Sequence, residues 1–158
     1  MSVKEKYLEC FTTNDSTGDK AFLLTIEREA KAELEGRNPV FSTYISSADR
    51  SHFVKSVTVI TNAGWKLSSI ANGSGEDVIF AVFTRATPAE LAWRETKISY
   101  HEGNAVFVRV LPNEDVDEFT RELTTIIDLE GELIGMANEK SGKSVFAVFQ
   151  PYLHDNFG

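Results

Sequence analysis

The chain has 158 residues, enough for one ordinary domain that buries about two-thirds of the surface its unfolded form exposes. Its formal charge of −8, with no clustered Lys and Arg, disfavours a nucleic-acid backbone as a direct ligand and points instead to a protein partner with a basic surface. The single cysteine, Cys10, excludes a disulfide framework and reads as a buried thiol, and no apolar run approaches the roughly eighteen residues that span a bilayer.

Met1-Ser-Val-Lys-Glu-Lys6 has neither an apolar core nor a small-residue cleavage site, so the expected compartment is the cytoplasm. Lys6 to Thr13 is rich in aromatic and β-branched residues and stops in Asn14-Asp-Ser-Thr-Gly-Asp19, which predicts a short strand and a loop. Lys20 to Glu35 places Phe22 or Leu23, Ile26, Ala30 and Leu34 at helical spacing, with Gly36 as the expected C-cap. Pro39 stops that helix, and Val40 to Ile45 reads as a strand.

Ser47-Ala-Asp49 caps a second helix whose apolar stripe is Phe53, Val57 and Ile60, and Gly64 ends it. Trp65 to Ile70 and Val78 to Thr84 are strands joined by the glycine-bearing loop Asn72 to Asp77. Thr87-Pro-Ala-Glu90 combines a capping box with proline at the first helical position and opens a third helix, with Leu91 and Ile98 inward and Gly103-Asn104 at its end. Ala105 to Leu111 is a strand. Asn113-Glu-Asp115 caps a fourth helix that turns Val116, Phe119, Leu123, Ile126 and Ile127 inward, and Leu133 to Ala137 with Val145 to Phe149 makes a last hairpin closed by Pro151.

This order repeats because the sequence does. Val78-Ile-Phe-Ala-Val-Phe-Thr-Arg85 returns as Ser144-Val-Phe-Ala-Val-Phe-Gln-Pro151, and the same 66-residue offset pairs Arg28 with Arg94, Phe41 with Phe107, Asp49 with Asp115, Phe53 with Phe119, Ile60 with Ile126 and Asn72 with Asn138. The predicted fold is therefore α+β and internally duplicated: two αβαββ units, residues 1–85 and 86–158, with four helices covering antiparallel sheet about a pseudo-two-fold axis. From Val40 to Leu111 the elements run βαββαβ, the ferredoxin-like order. In topology the tandem strand-helix-strand-strand units resemble the GyrI-like ligand-binding and regulator-of-ribonuclease types. The repeated Phe-Ala-Val-Phe strand is apolar on both faces, which predicts a central strand covered on both sides; the four phenylalanines need packing alone as their cause.

Motifs of catalysis are weak. Ala137-Asn-Glu-Lys-Ser-Gly-Lys-Ser144 loosely fits a phosphate loop, but that chemistry needs a helix after the lysine and a strand follows, so a hairpin loop is expected. His52, His101 and His154 lack metal-ligand spacing, Asp15 to Asp19 lacks the glutamate that closes a calcium loop, and no serine or cysteine has a locally placed base. No cofactor, no metal and no enzymatic activity are expected.

The two halves differ mainly in charge. The fourth helix and its exit carry Glu114, Asp115, Asp117, Glu118, Glu122, Asp128, Glu130 and Glu132 against Arg121 alone, whereas the matching first-half stretch carries Asp49 against Arg50, Lys55 and Lys66. A one-sided acidic face steers a basic partner, although solubility is an equally good cause. Trp93 lies off the apolar face of its helix and joins the acidic residues as a candidate contact. The leading expectation is a non-enzymatic inhibitor, adaptor or regulator that binds a protein partner. One alternative is a small-ligand sensor with a pocket between the halves lined by Arg28, Trp65 and Arg94; another is a DNA mimic that inhibits a nucleic-acid-binding protein. A dimer is compatible with all three.

Overall fold

Two aspartates start the two best-defined helices. Asp49 accepts a hydrogen bond from the Ser51 N–H at 2.9 Å, and Asp115 accepts from Asp117 and Glu118 N–H at 3.0 and 3.3 Å, so each satisfies amides that a helix N-terminus leaves open. The computed structural model describes residues 16–73, 77–91, 104–139 and 142–152, with side chains from residue 20 onward. In it the chain forms α1 (Ser16–Glu35), β1 (Val40–Ser46), α2 (Arg50–Asn62), β2 (Trp65–Asn72), β3 (Val78–Arg85), β4 (Phe107–Pro112), α3 (Val116–Leu129), β5 (Gly131–Asn138) and β6 (Ser144–Pro151). Between β3 and β4 a further helical turn begins at residues 88–91, held by the expected capping box: Thr87 N–H donates to Glu90 Oε1 and Glu90 N–H to Thr87 Oγ1, both at 3.1 Å. The bond from the Thr87 amide, aided by Lys66, holds the Glu90 carboxyl below the usual carboxylate range. The expected strand at Lys6 to Thr13, Cys10, and the rest of the helix expected after Leu91 lie outside the described residues.

The architecture is α+β, with two antiparallel three-stranded sheets ordered β1-β3-β2 and β4-β6-β5. The Phe-Ala-Val-Phe strand is central in each, as its apolar faces predicted. Pairings recur at the 66-residue offset: Phe41↔Phe83 with Phe107↔Phe149, Tyr44↔Phe80 with Val110↔Phe146, Trp65↔Arg85 with Gly131↔Pro151. Even the register shift in β2, between Leu67 and Ser69, returns in β5 between Leu133 and Gly135. A ferredoxin-like sheet would set β1 beside β4; in the described pairings these are outer strands of different sheets.

The two helices that cover these sheets are not equally buried. Phe53, Val57 and Ile60 of α2 are fully buried in one core shared by α1 (Phe22, Ile26, Ala30), the first sheet (Phe41, Ile45, Ala81, Phe83) and one face of the second (Val106, Val108, Phe146, Val148). Among the described residues, helix α3 packs on the opposite face of that second sheet, with Phe119, Leu123, Ile126 and Ile127 against Leu111, Ala147 and Phe149. A two-fold arrangement would give α3 the two-sided burial of α2. As a result all four residues Phe146 to Phe149 are buried, whereas of the matching residues Phe80 to Phe83 only Ala81 and Phe83 are, and Phe80 and Val82 stay partly exposed. Strand β2 runs beside β5, where the Asn138 N–H donates to Asn72 Oδ1 at 2.8 Å; the two asparagines thus join the sheets as well as ending strands.

Two backbone positions refine the sequence reading. The residue with positive φ after α1 is Arg37 (φ 62°), not Gly36, whose N–H still donates to the Ala32 carbonyl at 2.9 Å. The Lys143-Ser144 segment is followed by strand, and Glu139 N–H to Ser144 O (3.2 Å) with Gly142 N–H to Glu139 O (3.0 Å) make the loop a hairpin turn. Gly131 occupies the register position that Trp65 holds in the first sheet, and a Cβ there would stand 2.5 Å from the Gln150 carbonyl oxygen and 2.8 Å from Phe107 Cε1. Gly131→Ala is therefore expected to cost about 1–3 kcal/mol in a urea titration, because the carbonyl belongs to a paired strand and cannot swing away. A cost below about 0.5 kcal/mol would show that β5 is not held against β6 as described.

Candidate functional site

The acidic residues fall into three groups once the backbone is in place. Helical geometry gathers Asp117, Arg121, Thr124 and Asp128 on one outer ridge of α3 and Glu118, Glu122, Thr125 and Leu129 on the next. Thr124 and Thr125 turn their hydroxyls back onto the carbonyls of Thr120 (2.7 Å) and Arg121 (3.0 Å), which leaves the carboxylates and the Arg121 guanidinium as the polar groups of these ridges. Glu114 precedes the helix and is exposed, and Asp115 is the N-cap.

Glu130 and Glu132 belong elsewhere. Arg109 on β4 reaches the Glu130 carboxylate at 2.5 Å, with both side chains 42% exposed, and its guanidinium lies 4.8 Å from the Phe107 ring centroid. That pair removes one charge from the face. Glu132 stands opposite Gln150, and alternation along the strand puts both on the side of the sheet away from α3. The acidic face is accordingly Glu114, Asp117, Glu118, Glu122 and Asp128, none of which makes an ion pair among the described residues. Two apolar side chains, Val116 and Leu129, stand beside them at 73% exposure each. Trp93 lies outside the described residues.

The residues expected to line a pocket between the halves are not brought together among the described residues. Trp65 is fully buried: its Nε1–H donates to the Ala30 carbonyl at 2.9 Å and its ring lies 5.7 Å from Phe41, so it ties α1 to the first sheet and lines no cleft. Arg28 is exposed on α1 and lines neither cleft described below, and Arg94 lies outside the described residues. Two clefts instead separate the start of α2 from the second sheet. One, of about 520 Å³, is lined by Arg50, Ser51, Val54 and Lys55 against Asn104, Val106 and Val108. The other, of about 750 Å³, has Ser47, Asp49, Arg50 and Asp77 on one side and Val110, Glu139 and Phe146 on the other. The sequence offered one signal for them. Arg50 and Lys55 are cations beside a helix start in an acidic chain, and the second half has Val116 in place of Arg50.

His52 is buried, with its Nε2 3.4 Å from Ser56 Oγ and its ring 5.3 Å from Phe22, and faces neither cleft. No helix among the described residues is long and apolar enough to cross a membrane. Comparison with protein-family models, with curated proteins and with solved structures finds no match for the chain. What is established is the class of architecture: an α+β chain of two three-stranded sheets with matching registers, an acidic outer helix and a cleft between helix and sheet.

Proposed function

We propose that this chain is a non-enzymatic binding protein, an inhibitor, adaptor or regulator, that engages a basic surface of a protein partner through the outer side of α3, and that it arose by duplication of one αβαββ unit. Matching strand registers and the twice-used bulge support the duplication. The acidic face is supported chiefly by where its charges stand on the helix.

Asp117 and Glu118 occupy the first turn, where the helix dipole favours anions by about 0.3–1 kcal/mol, so helix stability is sufficient cause for them. Asp128 is the opposite case. It sits in the last turn, where the dipole disfavours an anion, and that turn holds no basic residue. Glu122, in the middle, has no cation within ion-pair distance among the described residues. Charges that a helix does not need for itself, beside exposed Val116 and Leu129, have the mixed acidic and apolar character of a recognition surface.

Glu122→Lys with Asp128→Lys tests the reading without touching the first turn. Partners captured from the native cell at low salt by the unmodified chain are expected to bind the variant at least about tenfold more weakly, chiefly through a slower on-rate, and to lose most of their salt dependence. Unchanged capture, with the variant's fold verified by circular dichroism, would remove the acidic face from the account.

A further inference from the structure

We infer that the cleft between α2 and β4 binds an extended small molecule bearing a single anionic group, a carboxylate or a phosphate ester, with its head on Arg50 and Lys55 and its body along β4. The site is distinct from the α3 face and does not depend on it.

The first ground is the lining. Arg50, Ser51, Val54 and Lys55 lie at i, i+1, i+4 and i+5, which is one side of a helix, and all four face Asn104, Val106 and Val108 across a cleft of about 520 Å³. That size lies within the roughly 300–1,000 Å³ of small-ligand sites, and an apolar floor with a few convergent polar groups is their usual make-up.

The second ground is charge. In a chain of net charge −8, the described ion pairs are Lys31 with Glu27, Lys66 with Glu90 and Arg109 with Glu130. Among the described residues the side chains of Arg50 and Lys55 have neither an ion pair nor a hydrogen bond, although acidic residues outnumber basic ones by 24 to 16 in the whole chain. Asp49, the nearest acid in sequence, turns to the Ser51 amide. Two neighbouring unpaired cations on one apolar-floored cleft suit one anionic group: Arg donates in a fork to carboxylate or phosphate, and Lys adds a point charge.

The third ground is direction. Val106, just before β4, and Val108 and Val110 on it alternate along one face, so the floor continues from the first cleft into the adjoining one; Arg50 lines both, Lys55 only the first, and Asp49, Asp77 and Glu139 only the second. A ligand lying along this trough meets positive charge at one end and negative at the other. A second anionic group at the far end of the ligand would be repelled.

Methyl NMR of the whole chain, read at Val54, Val106 and Val108, tests this with hexanoate, hexyl phosphate, adipate and hexylamine as probes. Saturable shifts are expected with hexanoate or hexyl phosphate, and whichever binds identifies the head group. Adipate is expected to bind more weakly than hexanoate, and hexylamine not to saturate. Arg50→Gln with Lys55→Gln, both surface changes, should weaken the anion at least about tenfold, because each removes a cation that would make charge-assisted hydrogen bonds to it, while leaving the buried Val57 and Ile60 methyl resonances in place. Failure of both hexanoate and hexyl phosphate to give saturable shifts, equal affinity in the double variant, or binding of hexylamine as tight as that of hexanoate would overturn the assignment.

Discussion

Trp65→Ala is expected to lower the unfolding free energy by about 3–5 kcal/mol, read as a fall in the urea midpoint with little change in slope. The indole is wholly buried and donates to the Ala30 carbonyl at 2.9 Å. Above it the Arg85 guanidinium lies 5.4 Å from the ring centroid and donates to the Leu34 and Asn38 carbonyls, each at 2.7 Å. Tryptophan and arginine together therefore fasten the end of α1 to the first sheet. Truncation opens a cavity and removes the surface on which Arg85 rests. Trp65→Phe keeps most of the apolar area but loses the donor, and about 1–3 kcal/mol is expected for it. If Trp65→Ala moves the midpoint no more than a surface substitution does, about 0.5 kcal/mol, the α1 contact is not made as described.

Phe146→Ala is the second large effect, again about 3–5 kcal/mol, and it probes the seam between α2 and the second sheet. Phe146 is 1% exposed and meets Phe53 edge to face, with centroids 5.1 Å apart at 84°. The register equivalent in the first sheet, Phe80, is only partly buried and touches Tyr44 at 5.4 Å, so Phe80→Ala should cost clearly less. A double-mutant cycle with Phe53→Ala should return a coupling of about 0.5–1.5 kcal/mol. Zero coupling, or equal costs for Phe80 and Phe146, would place α2 elsewhere than between the two sheets.

Much of the local structure was legible in advance because its causes are local. Asp49 and Asp115 cap the helices they were expected to cap, Thr87 and Glu90 close their box, and Gly64, at φ 123°, ends α2 where its Cβ-free backbone passes Leu34. The apolar strand Phe80 to Phe83 and its repeat announced two central strands. The site was less legible. Trp65 entered the alternative pocket beside Arg28 and Arg94, but a lone tryptophan fills a core as readily as a cleft, and here it is wholly buried. Glu130 and Glu132 joined the acidic run on sequence proximity; the strand that begins at Gly131 then turned one toward Arg109 and the other to the far side of the sheet. Arg109 itself, on β4, is distant in sequence from Glu130, so no local pattern exposed the pair.

By itself the sequence determined most of the described elements, their order and the central place of the two Phe-Ala-Val-Phe strands, since caps, periodicity and the 66-residue repeat act over a few residues or compare like with like. Only the tertiary structure decided how the two sheets share their helices. Nearly identical Phe-Ala-Val-Phe strands became buried on both faces in one sheet and on one face in the other, because α2 packs between the sheets and α3 does not. That choice depends on which of several apolar faces meet, a matter of summed shape and area between distant segments, which no periodicity within either segment encodes. The same choice opened the cleft at Arg50 and Lys55 and left the acidic side of α3 facing water.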